Sequence, residues 1–150
     1  MVDGGARSRS EISLRALIVS DAKADLPAEF AALLQTYVEM FGVRPTLPEG
    51  RFEFSSEVNP EFLRISEKLR AHAFYSDVFD MKTTQLILFG MLIVEGHHAA
   101  QMHALAARRA GASWEELHKV VELAAATRAL MPANQGFAML NTLHKQDGGG

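Results

Sequence analysis

The stretch LILFGMLIVEGHHAAQMHALAARRAG, residues 86–111, divides at Gly96 into two parts of different character. The nine residues at its start are apolar almost without interruption, so a helix formed there has hardly any polar face and has to be buried. We expect it to be the central helix of the fold, opened by Asp80 or Thr83. The second part is alanine-rich and amphipathic, and Gly111 is placed to end it in the left-handed conformation.

Two more helices are predicted upstream of this stretch. One covers about 26–41 and is capped by Asp25, and its buried stripe consists of Leu33, Leu34, Tyr37 and Phe41. The other begins at residues 59–61, Asn-Pro-Glu, where a capping Asn precedes Pro in the first helical position. Helical spacing then relates Phe62, Ile65, Leu69 and His72. The segment 44–56, which contains two prolines and a glycine, is predicted to be a loop.

Downstream, the residues 113–116, Ser-Trp-Glu-Glu, form the sequence of a capping box and predict a further helix start. Its core stripe is Leu117, Val120, Val121 and Ala124. Pro132 is expected to begin a last helix whose inward-facing residues are Phe137, Leu140 and Leu143. Residues 12–19 weakly favour a helix, and no segment is convincing as a strand. The predicted fold is therefore an all-α bundle of about six helices.

The composition of the chain excludes several classes of function. The formal net charge is −3, which gives no electrostatic footprint for a nucleic-acid partner. The absence of cysteine excludes disulfides, thiolate catalysis, iron–sulfur clusters and cysteine zinc sites. The longest apolar run is too short to span a bilayer, and the N-terminal residues lack the apolar run of a signal peptide. We expect a cytoplasmic protein with no membrane partner.

Candidate chemistry is concentrated in one short segment that holds a glutamate and three histidines. On a continuous helix, Glu95, His98 and His103 would line one wall, whereas His97 would point to the opposite side. If Gly96 breaks the helix, Glu95 lies at a junction and His98 lies in the first turn of the next helix. A histidine beside a carboxylate suits general acid–base catalysis.

Two other interpretations of this cluster stay open at the level of sequence. One or two of the histidines could be core or interface residues that are satisfied by backbone carbonyls. Glu95-x-x-His98 is similar to the Glu-x-x-His element of di-iron bundles, but those need a second such element. His98 and His103 are five residues apart and miss the i,i+4 spacing of a helical two-histidine site. We therefore expect no metal and no cofactor.

Several sequence pieces occur in a specific order. They are the Asn-Pro-Glu-Phe start at 59–62, the ILFGMLIV helix, His103 eight residues before Gly111, Gly-Ala-Ser-Trp-Glu-Glu, and Met-Pro-Ala-Asn-Gln-Gly-Phe at 131–137. Together they resemble the carboxymuconolactone decarboxylase family, which includes the AhpD-type alkylhydroperoxidases. The resemblance implies an AhpD-like all-α fold and a homo-oligomer, trimer or hexamer, whose active site lies near subunit contacts. It divides the chain into a flexible tail (1–10), a helical extension and loop (11–55) and the family domain (56–146).

The resemblance also separates two branches of the family. In the peroxidase branch a Cys-x-x-Cys pair precedes the family histidine, and it would fall at Gly96 and Ala99, so thiol peroxidase chemistry is excluded. The relay glutamate of the family would lie near Thr84 or Gln85, neither of which is an acid. Glu95 is a hypothetical replacement from another direction.

The cysteine-free decarboxylase branch keeps histidines that match His103 and His98. The resemblance thus implies a cofactor-free carboxy-lyase that acts on a small acidic or lactone-type metabolite, in the catabolism of aromatic compounds. The predicted catalytic residues are His103, His98 and Glu95. A cation is needed for the substrate carboxylate, supplied by Arg128, or else by Arg70 or Lys82. Asn134 and Phe137 are predicted to line the pocket, although capping and core packing explain them equally well. The alternatives are a lactone hydrolase or isomerase, and a non-catalytic ligand-binding or assembly module.

Overall fold

The computed structural model describes residues 26–148, and within that range the chain is all-α, as predicted. Six helices follow one another: α1 (Ala28–Phe41), α2 (Thr46–Val58), α3 (Pro60–Phe74), α4 (Met81–Glu95), α5 (Ala100–Arg109) and α6 (Trp114–Gln146). They belong to two compact units that divide between Val78 and Phe79, so that α1–α3 form one unit and α4–α6 the other. The predicted helix at 12–19 and the predicted cap Asp25 lie outside the described residues.

The first unit shows where the prediction of a loop was wrong. Residues 46–58, most of which lie in the segment 44–56 that was predicted as a loop, form α2. Pro45 precedes the helix and Pro48 lies in its first turn, where a missing N–H breaks no helical hydrogen bond. Phe52 and Glu49 are buried, with exposed fractions of 0% and 3%. Their packing in the unit stabilises a helix in a segment for which the two prolines had led to the prediction of a loop.

The start of α3 was predicted correctly, because the Asn59 side chain accepts a hydrogen bond from the Phe62 N–H at 3.0 Å. Its apolar stripe, however, does not face the core. The buried residues of α3 are Leu63 and Glu67, whereas the exposed residues include Phe62, Ile65 and Leu69. A buried carboxylate determines which face of the helix turns inward.

That carboxylate belongs to Glu67, and three side chains converge on it. Tyr37 on α1 donates its hydroxyl hydrogen at 2.8 Å, Arg70 donates from Nε at 2.8 Å, and Arg51 on α2 completes the cluster. Burial, followed by the hydrogen bond to Glu67, raises the pKa of Tyr37 to about 12. Burying an acid this deeply is tolerated because its partners are present, and this requirement holds the three helices in register.

The second unit is organised around α4, which packs on both α5 and α6. Asp80 caps α4 by accepting a hydrogen bond from the Thr83 N–H at 2.7 Å, and Gly96 ends it with a left-handed φ of 70°. Three of the five buried residues of this core are alanines, and the set is Phe89, Ala100, Ala107, Ala112 and Leu117. The expectation that α4 is buried all round was wrong, because one of its faces carries Ile87 and Met91 at 43% and 61% exposure.

The last helix, α6, begins at the predicted capping box, but it does not end where the sequence predicted. Both hydrogen bonds of the capping box are formed: Ser113 Oγ accepts from the Glu116 N–H, and the Glu116 carboxylate accepts from the Ser113 N–H. Instead of ending before Pro132, α6 continues through it to Gln146 and is 33 residues long in all. A proline inside a helix removes one hydrogen bond from the ladder and its ring crowds the carbonyl four residues earlier, so a helix runs past it only at a cost of about 3 kcal/mol or more.

Beyond Pro132 the predicted inward-facing residues are exposed: Phe137 at 71%, Leu140 at 54% and Leu143 at 48%. Within the described part of the chain, no helix combines the length and the apolar character that crossing a bilayer requires.

Candidate active site

The buried polar pair of the second unit is formed by His103 on α5 and Gln85 on α4. His103 is 9% exposed and Gln85 is fully buried, and the His103 Nδ1 lies 2.7 Å from the Gln85 Oε1. Ala100 and Ala107 of α5 lie in the same core, where their small side chains let the two helices approach closely. The pair is therefore held by helix packing and not by a loop.

The hydrogen bonds of Gln85 assign the tautomer of His103. With the Gln85 amide assigned so that its oxygen faces the ring, the oxygen accepts and the His103 Nδ1 donates, which corresponds to the tautomer with the hydrogen on Nδ1. The amide orientation agrees with this, because the Gln85 Nε2 points to the Met81 sulfur at 3.3 Å and can donate to it. With the hydrogen on Nδ1, the ring lone pair is on Nε2, which is the nitrogen that can accept a proton.

Burial also sets the charge of His103. It lowers the pKa of the imidazole to about 4, since a charged ring is poorly solvated in the interior. At neutral pH the ring is uncharged. The site thus presents a neutral imidazole in a defined tautomer, whose Nε2 is a proton acceptor.

Gln85 is the residue whose role sequence reasoning missed. The resemblance places the relay acid near Thr84 or Gln85, neither of which is an acid, and Glu95 is the hypothetical replacement. The structure instead brings the Gln85 amide directly to His103. A signal was present in the sequence: a glutamine next to an apolar run that was expected to be buried has to find a hydrogen-bonding partner in the core.

The other two predicted catalytic residues lie at the turn between α4 and α5. Glu95 is the last residue of α4, and the chain turns at Gly96 before α5 begins at Ala100. The continuous helical wall is therefore wrong, and His98 precedes the helix instead of lying in its first turn. Glu95 and His98 are both exposed, and the His98 ring is stacked on His97 with centroids 4.5 Å apart. Their catalytic roles stay predictions.

A comparison with models of protein families shows to which family the chain belongs. The model of the carboxymuconolactone decarboxylase family matches residues 60–142, which is more than half of the sequence. The chain belongs to the carboxymuconolactone decarboxylase family. The match spans α3 to most of α6 and includes both Gln85 and His103. Neither a curated protein nor a solved structure gives a significant match.

This member of the carboxymuconolactone decarboxylase family contains no cysteine. Gly96 and Ala99, where the resemblance places a cysteine pair, lie in the turn just before α5. Among residues 26–148, no three His, Asp or Glu side chains are grouped as metal ligands.

The candidate cations of this family member differ in their surroundings. Arg70 lies in the first unit, where it is bonded to Glu67, and Lys82 forms an ion pair with Glu116 at 2.8 Å. The positive charges of Arg70 and Lys82 are therefore each paired with a carboxylate of the protein itself. The three predicted substrate-binding residues all lie on the exposed half of α6: Arg128, Asn134 and Phe137. Their roles remain predictions.

An open apolar groove of about 540 Å³ lies between α4 and the first half of α6. Its lining comprises Thr83, Leu86, Ile87, Gly90, Met91, Val94, Glu95, Val120, Leu123, Ala124 and Thr127. Gln85 is about 180° around α4 from Val94, so the groove and the His103 pair are on opposite sides of that helix. The only charge in the lining is the carboxylate of Glu95, which repels an anion. The groove is therefore poorly suited to an acidic metabolite.

Proposed function

We propose that this protein is a cofactor-free acid–base enzyme, a carboxy-lyase that acts on a small acidic or lactone-type metabolite. The observation that carries the proposal is the buried His103–Gln85 pair with its defined tautomer and neutral ring. Membership of the carboxymuconolactone decarboxylase family supports the reaction class.

The proposed decarboxylation needs a proton donor once CO₂ has left. When the bond between carbon and carboxylate breaks, CO₂ leaves and the electron pair stays on the carbon, delocalised as an enolate onto the lactone carbonyl. The carbon then takes up a proton. In the free protein, His103 cannot supply that proton, because its ring is neutral.

An acidic substrate resolves this difficulty. A carboxylate within about 4–6 Å raises the pKa of a histidine by roughly 1–3 units. Binding of the substrate thus draws a proton onto the His103 Nε2, while Nδ1 continues to donate to Gln85. Transfer of the Nε2 proton to the carbon then returns the ring to its neutral form. We assign His98 and Glu95, at the rim of the same helix junction, to proton exchange with solvent.

A second candidate follows from the same neutral ring. With an uncharged lactone no carboxylate recruits a proton, and Nε2 remains a base. It can accept the proton of a water molecule that attacks the lactone carbonyl. The acyl C–O bond of the lactone then breaks, and the imidazolium returns the proton to the leaving alkoxide, so that a hydroxy acid forms and His103 is neutral again. The neutral state of His103 specifically favours this lactone hydrolase activity as the alternative.

The test is to incubate the purified protein with γ-carboxymuconolactone and, separately, with an uncharged unsaturated γ-lactone that has no carboxylate. Ultraviolet absorbance, CO₂ release and acid release are followed together. CO₂ release from the first substrate supports the lyase, and acid release without CO₂ supports the hydrolase. Absence of turnover, with ligand binding still measurable, would overturn both and leave a binding module.

The variant His103→Ala should lower kcat/KM by about 10²–10⁴-fold, the usual contribution of a positioned acid–base group. His118→Ala is the matched control, because His118 is an exposed histidine of the same unit, with 75% of its side chain accessible. Circular dichroism confirms that both variants are folded. Full activity of a folded His103→Ala variant would remove His103 from the mechanism.

Proton uptake gives a second readout that does not need turnover. Calorimetric titration with an acidic substrate near pH 6, in buffers of different ionisation enthalpy, should show uptake of up to one proton by the wild type and less by His103→Ala. Equal uptake by the two proteins would contradict the recruitment of a proton by His103.

A further inference from the structure

Met81 is the first residue of α4 and lies one helical turn before Gln85. Side chains four residues apart on a helix are neighbours on the same face. Here the Gln85 Nε2 lies 3.3 Å from the sulfur of Met81, which is itself half-buried. Asp80 holds this first turn in place by accepting a hydrogen bond from the Thr83 N–H. The thioether is therefore fixed beside the amide that contacts His103.

The sulfur makes the two ends of the Gln85 amide unequal. A side-chain amide has an acceptor end, Oε1, and a donor end, Nε2, and rotation by half a turn exchanges them with little change in shape. A thioether sulfur carries no hydrogen and is only a weak acceptor. It can bond to the donor end, whereas in the rotated amide it would face the lone pairs of Oε1. Met81 thus favours the orientation in which Oε1 is directed to His103.

This orientation decides which ring nitrogen of His103 carries the hydrogen. The Gln85 Oε1 lies 2.7 Å from the His103 Nδ1, so the hydrogen is on Nδ1. In the rotated amide, the Nε2 of Gln85 would donate to a lone pair on Nδ1, and the ring hydrogen would be on the His103 Nε2. The exchange moves one hydrogen within the ring and changes neither the charge of the ring nor the number of bound protons.

We infer that Met81 is a positioning residue of the candidate site, which acts through the Gln85 amide to keep the hydrogen of His103 on Nδ1. Its importance for catalysis rests on the proposed function, in which the His103 Nε2 has to accept a proton. A ring with the hydrogen on Nε2 can only donate from that nitrogen. Met81 would then determine whether the reactive nitrogen is a base or a hydrogen-bond donor.

Burial gives this selection its effect. Only a neutral imidazole has two tautomers, and His103 is neutral at neutral pH because burial lowers its pKa to about 4. Gln85 is fully buried and His103 is 9% exposed, so water hardly competes for the hydrogen bond at Nδ1. The exposed His97 and His98, in contrast, can satisfy either tautomer with water.

The test is to remove the sulfur and to observe the tautomer of His103 by ¹⁵N NMR of the free protein, since the ring nitrogen signals show which nitrogen carries the hydrogen. Met81→Leu changes the side-chain volume little. The wild type should have the hydrogen mainly on Nδ1, and Met81→Leu should shift the ratio of tautomers toward Nε2 by about 2–10-fold, the range for one neutral hydrogen bond. Met102→Leu is the matched control, because Met102 is also half-buried and is next to His103 in the chain.

A double variant distinguishes orientation from packing. A carboxylate has acceptors at both ends and no donor, so rotation of the side chain in Gln85→Glu leaves an oxygen at Nδ1 in either case. Adding Met81→Leu to Gln85→Glu should therefore leave the hydrogen on Nδ1, when the spectra are recorded well above the pKa of the ring. A purely steric effect of the leucine would persist in this background.

Three outcomes would overturn the inference. They are a wild type with the hydrogen mainly on Nε2, a shift in Met81→Leu no larger than that in Met102→Leu, and an equal shift in the presence of Gln85→Glu. Circular dichroism checks that the variants are folded, and Met81→Ile is a second sulfur-free variant that should shift the tautomer in the same direction. No substrate is needed. A protein that shows these tautomers without any turnover would therefore contradict the proposed function but not the role of Met81.

Discussion

Replacing Gln85 by glutamate tests how the buried pair controls the charge of His103. In the wild type an uncharged amide oxygen lies 2.7 Å from Nδ1, and burial lowers the pKa of His103 to about 4. Glutamate has nearly the same shape but places a carboxylate at that oxygen. An opposite charge at this distance raises a histidine pKa by about 1–3 units, so the His103 pKa should rise to roughly 5–7.

The size of this shift follows from the burial of both groups. A change of 1–3 units corresponds to about 1.4–4 kcal/mol of preference for the protonated ring. Gln85 is fully buried, so solvent screens the new charge only weakly. The new carboxylate also loses its hydration, and the imidazolium is its nearest compensation. The two groups are therefore expected to titrate as a coupled pair.

The assay is an NMR titration of the histidine ring signals, with His103→Ala used to assign the His103 resonance. Gln101→Glu is the matched control, because it introduces the same charge at an exposed glutamine of α5. Two results would refute the reasoning. One is a wild-type His103 that titrates near 6.5, and the other is a Gln85→Glu shift no larger than that of Gln101→Glu.

Two further predictions concern stability, measured by urea denaturation at a fixed protein concentration. The pKa of His103 is about 4 in the folded chain and near 6.5 in the unfolded chain, so between these values the unfolded chain binds the proton more tightly. About 3 kcal/mol of the free energy of unfolding is therefore present above pH 6.5 and should be lost progressively as the pH falls to 4. His103→Gln should lack this part of the pH dependence, and an identical pH profile for the two proteins would contradict it. Ser113→Ala removes the hydroxyl that accepts from the Glu116 N–H at 3.0 Å and should lower the free energy of unfolding by about 1 kcal/mol. Thr142→Ala, on the exposed part of the same helix, should change it by less than about 0.5 kcal/mol, and equal losses in the two variants would argue against the cap.

The features that the sequence determined by itself are local. The caps at Asn59 and Ser113, Asp80 as one of the two predicted starts of α4, and the left-handed Gly111 after α5 were predicted correctly, because each depends on groups no more than about four residues apart. The all-α class follows from the same helical patterns, and the family match confirms the resemblance that rested on ordered motifs. The absence of cysteine is likewise a property of the sequence alone.

What only the tertiary structure decided is which groups meet across helices. Helical spacing shows which residues share a face, but not whether that face meets a neighbour. The stripe containing Phe137 was therefore predicted to face inward although Phe137 is exposed, and Phe62, in the stripe of α3, is exposed as well. The helix at 46–58 forms despite two prolines because burial of Phe52 outweighs local preference. The hydrogen bond from His103 to Gln85 joins residues 18 positions apart. No local pattern encodes such a pairing, because it exists only once α4 and α5 are packed together.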